Sequence, residues 1–173
     1  FVDDLSSFMD ILDLTNTSLI GLSMGGWNAL LYASHQSDRV QQIVIVDIAP
    51  ERSAEARNQY VERPLTPTEF HTLEEVYSWA RIRESFSTCW RFRKDVSARI
   101  RQRPDGKWIW KADPALLNSS LPDNQDPGYI ARYWQSLRDI TCPILEVRGT
   151  ESILVSDDII QRMKNANPKF SSV

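Results

Sequence analysis

The stretch Gly21-Leu22-Ser23-Met24-Gly25-Gly26 reads G-x-S-x-G with one further glycine. A β-branched and apolar run, Thr17-Ser18-Leu19-Ile20, precedes it, and the helix-forming run Trp27-Asn28-Ala29-Leu30-Leu31-Tyr32-Ala33 follows. Strand, tight turn and helix in immediate succession make this short motif specific, because such a turn lifts the serine oxygen clear of the sheet edge. The turn holds the serine backbone in a strained conformation. Small residues two before and two after it, Gly21 and Gly25, keep neighbouring side chains from clashing. The Met24 N–H then falls at a helix N-terminus, where it can donate to an oxygen that gains negative charge.

Outward from this turn the pattern is that of a parallel sheet. Gln42-Ile43-Val44-Ile45-Val46-Asp47-Ile48 is a β-branched run of the kind buried on both faces of such a sheet. The intervening helix is expected to run to about Gln36, and strand, helix and strand in this order form a right-handed crossover. Asp47 therefore falls at the carboxyl end of the second strand, on the same sheet edge as Ser23, where open α/β sheets hold ligands. Upstream, Phe1, Leu5, Phe8, Met9 and Leu12 share one face of a helix over residues 1–13. Downstream, Pro143-Ile144-Leu145-Glu146-Val147-Arg148 is another strand, and Ile159, Ile160 and Met163 mark a helix that stops at Asn167-Pro168. The strands at 17–22, 42–48 and 143–148 should lie parallel and adjacent in that order, and Lys169 to Val173 look like the approach to a further strand.

Between Glu51 and about Trp134, helical periodicity replaces buried strands. Thr72-Leu73-Glu74-Glu75 is a capping box that starts a helix through Ala80. Pro104-Asp105-Gly106-Lys107 is a turn before a short strand, Trp108-Ile109-Trp110, and Pro64, Pro114, Pro122 and Pro127-Gly128 punctuate the rest. Arg91, Arg93, Lys94, Arg99, Arg101 and Arg103 form a basic run, which Glu84, Asp95 and Asp105 dilute into a solvated helix face rather than a nucleic-acid site.

The strand, the Gly21–Gly26 turn and the helix after it resemble the nucleophile elbow of the α/β-hydrolase family, and the order of elements is similar along nearly the whole chain. The resemblance implies an α/β fold: parallel strands matching the family's fifth, sixth and seventh, flanking helices, and a mostly helical cap inserted after the sixth. It divides the chain into a core part at 1–50, a cap at 51–136 and a second core part at 137–173. It implies Ser23 as nucleophile, the Met24 N–H as oxyanion donor, and hydrolysis of a small-molecule carboxylic ester through an acyl-serine intermediate without a cofactor. Serine at the elbow excludes the family's epoxide hydrolases and dehalogenases, whose ester intermediates need an aspartate there. Thioesterase, C–C bond hydrolase and cofactor-free haloperoxidase activities use serine on this scaffold and stay open, as does a non-catalytic hydrolase-like binding protein.

A serine hydroxyl needs a histidine to take its proton and an acid to orient that histidine. The family orders them serine, acid, histidine. Its usual acid lies three residues after the glycine that follows the seventh strand. Counted from Gly149 that residue is Ser152, which carries no charge, and Glu151 is one place early. Some branches carry the acid after the sixth strand, where this sequence has Asp47. Asp47 is preferred, with Glu151 as the alternative. The family's histidine follows the eighth strand in a Gly-His context. Neither His35, near a helix end, nor His71, at a helix entry, matches it. The expectation is a piece of a longer protein whose histidine and second oxyanion donor lie elsewhere, inactive alone.

The 173 residues, 42% apolar and 25% charged, suit a globular protein with a core of useful size. A net charge of −3 gives no general pull toward nucleic acid or anionic membranes. No apolar run approaches a membrane span. Cys89 and Cys142 make no disulfide framework, so a cytoplasmic setting is the default. Neither cysteine has metal-ligand spacing, and no metal site is expected.

Overall fold

The computed structural model describes residues 1–61, 65–83, 89–117 and 126–173; Pro64, Glu84 and Pro122, named above, lie outside them. In chain order the elements are α1 (Val2–Ile11), β1 (Thr17–Leu22), α2 (Met24–His35), a 3-10 turn (Ser37–Arg39), β2 (Val40–Val46), α3 (Ala54–Val61), β3 (Glu69–Phe70), α4 (Leu73–Arg83), α5 (Cys89–Arg99), β4 (Ile100–Gln102), β5 (Trp108–Trp110), α6 (Pro114–Leu117), α7 (Pro127–Asp139), β6 (Ile144–Val147), α8 (Asp157–Ala166) and β7 (Phe170–Ser172). They form two compact units, Phe1–Arg63 with Pro122–Val173, and Pro64–Leu121.

The first unit carries a four-stranded sheet in the order β1-β2-β6-β7, every pair parallel. Leu19 to Leu22 pair with Ile43 to Val46, and Ile43 to Val46 pair with Ile144 to Val147. The expected order of three strands is therefore observed, and the approach at the C-terminal end is β7. The core gathers Leu30, Tyr32 and Ala33 from α2, Ile43 and Ile45 from β2, Leu137 from α7 and Met163 from α8. β1 is an edge strand, and Ile20 and Leu22 on it are 76% and 65% exposed.

The unit limits differ from the expected cap at 51–136. Helices α3 and α7 belong with the sheet, for a physical reason visible in α7. Asp126 caps it, accepting from the N–H groups of Gly128 and Tyr129, and Pro127 stands at its first position, where no N–H is needed. Its apolar face buries Tyr133, Trp134 and Leu137, with the Tyr133 ring 5.8 Å from that of Trp27 on α2. Tryptophans after Glu51 are divided between two cores: Trp134 packs in that of the sheet, and Trp79, Trp108 and Trp110 pack against that of the second unit.

The second unit has its own core of Phe70, Val76, Ala80, Phe92, Val96 and Ile100 and a three-stranded antiparallel sheet, β3-β5-β4. Gly106, at φ 85°, makes the turn between β4 and β5. Thr72 Oγ1 accepts from the Glu75 N–H, but the Glu75 carboxylate returns to the His71 N–H rather than to Thr72. Arg93 lies over the Tyr77 ring and Lys94 over the Trp90 ring, so the basic run is partly stacked on aromatics rather than wholly solvated. No helix among the described residues is long and apolar enough to cross a membrane.

Candidate active site

Ser23 sits between β1 and α2 at φ 51°, ψ −121°, a conformation that favours glycine. Its N–H donates to the Val46 carbonyl (3.2 Å) and its carbonyl accepts from the Gly26 N–H (2.9 Å), which pins the serine at the junction of two strands and a helix. A serine at a helix N-cap ordinarily caps a first-turn N–H with its hydroxyl. Here the side chain makes no cap hydrogen bond and stands exposed, because this backbone conformation turns it away from the helix. Met24 opens α2, and first-turn N–H groups have no intrahelical acceptor.

The glycines divide differently from the expected pair. A Cβ on Gly21 would overlap the main chain of Gly25, so Gly21 is sterically required. A Cβ on Gly25 would meet nothing within 4 Å, whereas one on Gly26 would come within 2.8 Å of Ile48 Cγ1 and 2.9 Å of the Gly21 carbonyl oxygen. The close approach after the serine is at Gly26, where the first turn of α2 presses on β1 and on Ile48. Gly21→Ala is expected to cost about 3 kcal/mol in a urea titration, since backbone must move. Gly25→Ala should change stability by about 1 kcal/mol or less, and equal losses at both would contradict this packing.

Asp47 does not end a strand as expected but follows it. β2 stops at Val46 because Asp47 adopts φ 54°, which cannot continue an extended ladder. Its N–H still donates to the Val147 carbonyl (2.9 Å). Ser23, Trp27, Asp47, Ile48, Ala49, Glu51, Arg52 and Leu154 line one depression of about 30 Å³. Ser152 Oγ donates to Asp47 Oδ1 and accepts from the Leu154 N–H (3.2 Å), so the loop after β6 bonds the carboxylate of the loop after β2. Glu151 is exposed and does not line the depression. Trp27 Nε1 donates to the Ala49 carbonyl (3.0 Å), tying the first turn of α2 to the segment after Asp47.

Beneath this edge lies Glu146 of β6, fully buried. Its Oε1 accepts from the Ile48 N–H (3.3 Å), and its Oε2 has no partner among the described residues. Burial pushes the Glu146 carboxyl up to about 8; the Asp47 charge adds to the rise, while the Ile48 N–H and Arg148 oppose it. The folded protein thus keeps this proton through a window, from about 4.5 to about 8, in which the unfolded chain has lost it. The unfolded state binds fewer protons there, so stability falls as pH rises through that window. Glu146→Gln is expected to flatten the fall, and melting profiles that stay parallel from pH 5 to pH 8 would contradict it.

The profile of the alpha/beta hydrolase fold family matches residues 1–170. The chain belongs to that family. This α/β hydrolase chain is 26% identical over 182 aligned residues to the 3-hydroxybutyrate-oligomer hydrolase of Cupriavidus necator, covering 100% of the chain and 62% of that protein. It is 25% identical over 162 residues to esterase Rv0045c of Mycobacterium tuberculosis, covering 90% of the chain and 51% of that protein. Among solved structures, that of an E-2-(acetamidomethylene)succinate hydrolase superposes with a TM-score of 0.79 at 23% identity, covering 100% of the chain and 63% of that structure. The chain spans between half and two thirds of the length of these relatives.

Of the residues singled out from the α/β-hydrolase pattern, Ser23 and Asp47 share one depression and Glu151 stands outside it. His35 closes the far end of α2, its Nδ1 2.8 Å from the Leu31 carbonyl oxygen. His71 lies in the second unit. Ser152, set aside because it carries no charge, touches Asp47 instead. Glu146 was readable as a carboxylate inside an apolar strand, a signal passed over. Among the described residues, no group of three or more His, Cys, Asp or Glu side chains could hold a metal ion.

Proposed function

We propose that this chain is the nucleophile-and-acid portion of a serine hydrolase that cleaves small-molecule carboxylic esters. Ser23 attacks the ester carbonyl, the Met24 N–H at the start of α2 donates to the developing oxyanion, and Asp47 orients a histidine supplied from outside residues 1–173. That histidine takes the serine proton and returns it to the leaving alcohol; water then releases the acyl group by the same route in reverse. The observation that carries this reading is the Ser23 conformation, φ 51° with its hydroxyl uncommitted to capping, in one depression with Asp47. Strain of this kind persists only where the surroundings enforce it, and here Gly21 and Gly26 leave the required space. The esterase and the oligomer hydrolase among the relatives agree with ester chemistry. The Pro64–Leu121 unit, inserted between β2 and β6 with its own core, is the candidate for the family's cap.

The test is covalent labelling of the full-length protein with a fluorophosphonate probe. Labelling that disappears in Ser23→Ala supports the enzyme. A folded full-length protein that takes no label would instead be a hydrolase-like binding protein.

A further inference from the structure

We propose that Glu146 is a positioning residue of the Ser23–Asp47 site: its buried carboxyl holds the Ile48 N–H and, through that turn, fixes where Asp47 presents its carboxylate. The inference rests on the reading of Ser23 and Asp47 given above.

Glu146 is an unusual occupant of its place. It lies in an interior strand, paired with Ile45 on one side and Ser172 on the other, in the run Ile144-Leu145-Glu146-Val147. One of its oxygens is buried without a partner among the described residues. A buried polar atom left unsatisfied disfavours folding, and an apolar side chain of similar size would avoid that penalty. Stability of the sheet therefore does not explain a carboxyl here.

Its geometry supplies a reason. The β2–β6 ladder runs out at the bond from the Asp47 N–H to the Val147 carbonyl, and Asp47 then turns the chain out of the sheet at φ 54°. The next donor, the Ile48 N–H, is buried past the end of the ladder, and Glu146 Oε1 reaches along the sheet to accept it. The Ile48 side chain in turn packs at Gly26, on the first turn of the helix that Ser23 begins. One carboxyl thus anchors the single turn that carries Asp47 and abuts the elbow. Ser152 Oγ bonds the Asp47 carboxylate, and Glu146 holds the N–H of the next residue, Ile48.

The test uses the full-length protein, steady-state kinetics on p-nitrophenyl acetate and melting temperature. Glu146→Met, which fills the space but cannot accept from Ile48, is expected to lower kcat about 100-fold with KM within about twofold, the effect of a small displacement at the reacting centre. Glu146→Gln, which keeps an acceptor at the same reach, is expected to restore kcat to within about threefold of wild type. In an Asp47→Asn background, Glu146→Met should add less than about threefold, because it acts through the group already removed. If Glu146→Met fails to fold, Glu146→Asp is read in its place, and its retracted carboxyl should give the same loss of kcat. Wild-type kcat in the folded Met or Asp variant overturns the inference, as does a Gln variant as impaired as Met, or a full 100-fold loss on the Asp47→Asn background. If Asp47→Asn alone leaves kcat intact, the site reading itself falls and this inference with it. A large loss in Asp47→Asn with none in Glu146→Met overturns the inference alone.

Discussion

Asp47→Asn in the full-length protein is expected to lower kcat by about four orders of magnitude while KM and melting temperature stay near their wild-type values. Asparagine keeps the shape of the side chain and can still bond Ser152 Oγ, so the turn after β2 should hold. What it loses is the negative charge that, in the proposed mechanism, fixes the tautomer of the histidine and stabilises it once protonated. Glu151→Gln should change kcat by less than about tenfold, under about 1.4 kcal/mol of barrier, because Glu151 is exposed and lies outside the depression that Ser23 and Asp47 share. Kinetics of the two variants side by side decide the acid. The reverse pattern would move it to the loop after β6 and leave Asp47 as a turn residue.

Residues 1–173 alone, where circular dichroism reports folded α/β structure, should hydrolyse p-nitrophenyl acetate about 10⁶-fold more slowly than the full-length protein. The sequence holds two histidines, and neither stands in the Gly-His context of the family's catalytic base. His35 ends the 12-residue helix that Ser23 begins, about 18 Å away at 1.5 Å per residue, with its ring nitrogen bonded to that helix's own carbonyl. His71 stands at the entry of α4, where its N–H is held by Glu75. In the proposed mechanism the serine without a base keeps its proton, and only the smaller contribution of the oxyanion donor and substrate binding is left. Brisk hydrolysis by the isolated chain that vanishes in Ser23→Ala would reveal a base within it, and His35 and His71 would be the first to replace.

The frame of this site was legible in the sequence because it rests on local rules. Gly21 and Ser23 between an apolar run and a helix former announce a strand-to-helix turn, and the β-branched run over 42–48 announces a buried parallel strand. Asp47 was legible at the carboxyl end of that run, but not as the residue just past the ladder's end. What escaped reading depends on contacts across long sequence separations. Ser152 lies 105 residues from Asp47 and Glu146 lies 98 from Ile48, and no periodicity encodes either bond. The unit limits escaped for a similar reason: the spacing of Tyr133, Trp134 and Leu137 declares an apolar helix face but not which core it joins.

Two non-glycine residues at this sheet edge, Ser23 and Asp47, hold positive φ angles that glycine would adopt without strain. Ser23→Gly should therefore relax the backbone, and under the proposed function it does so at the cost of the nucleophile. A lineage that kept this scaffold for another purpose would be free to drift toward glycine at both places. Under the proposed function, glycine at the positions of Ser23 and Asp47 in a related chain would mark a descendant that no longer turns over substrate.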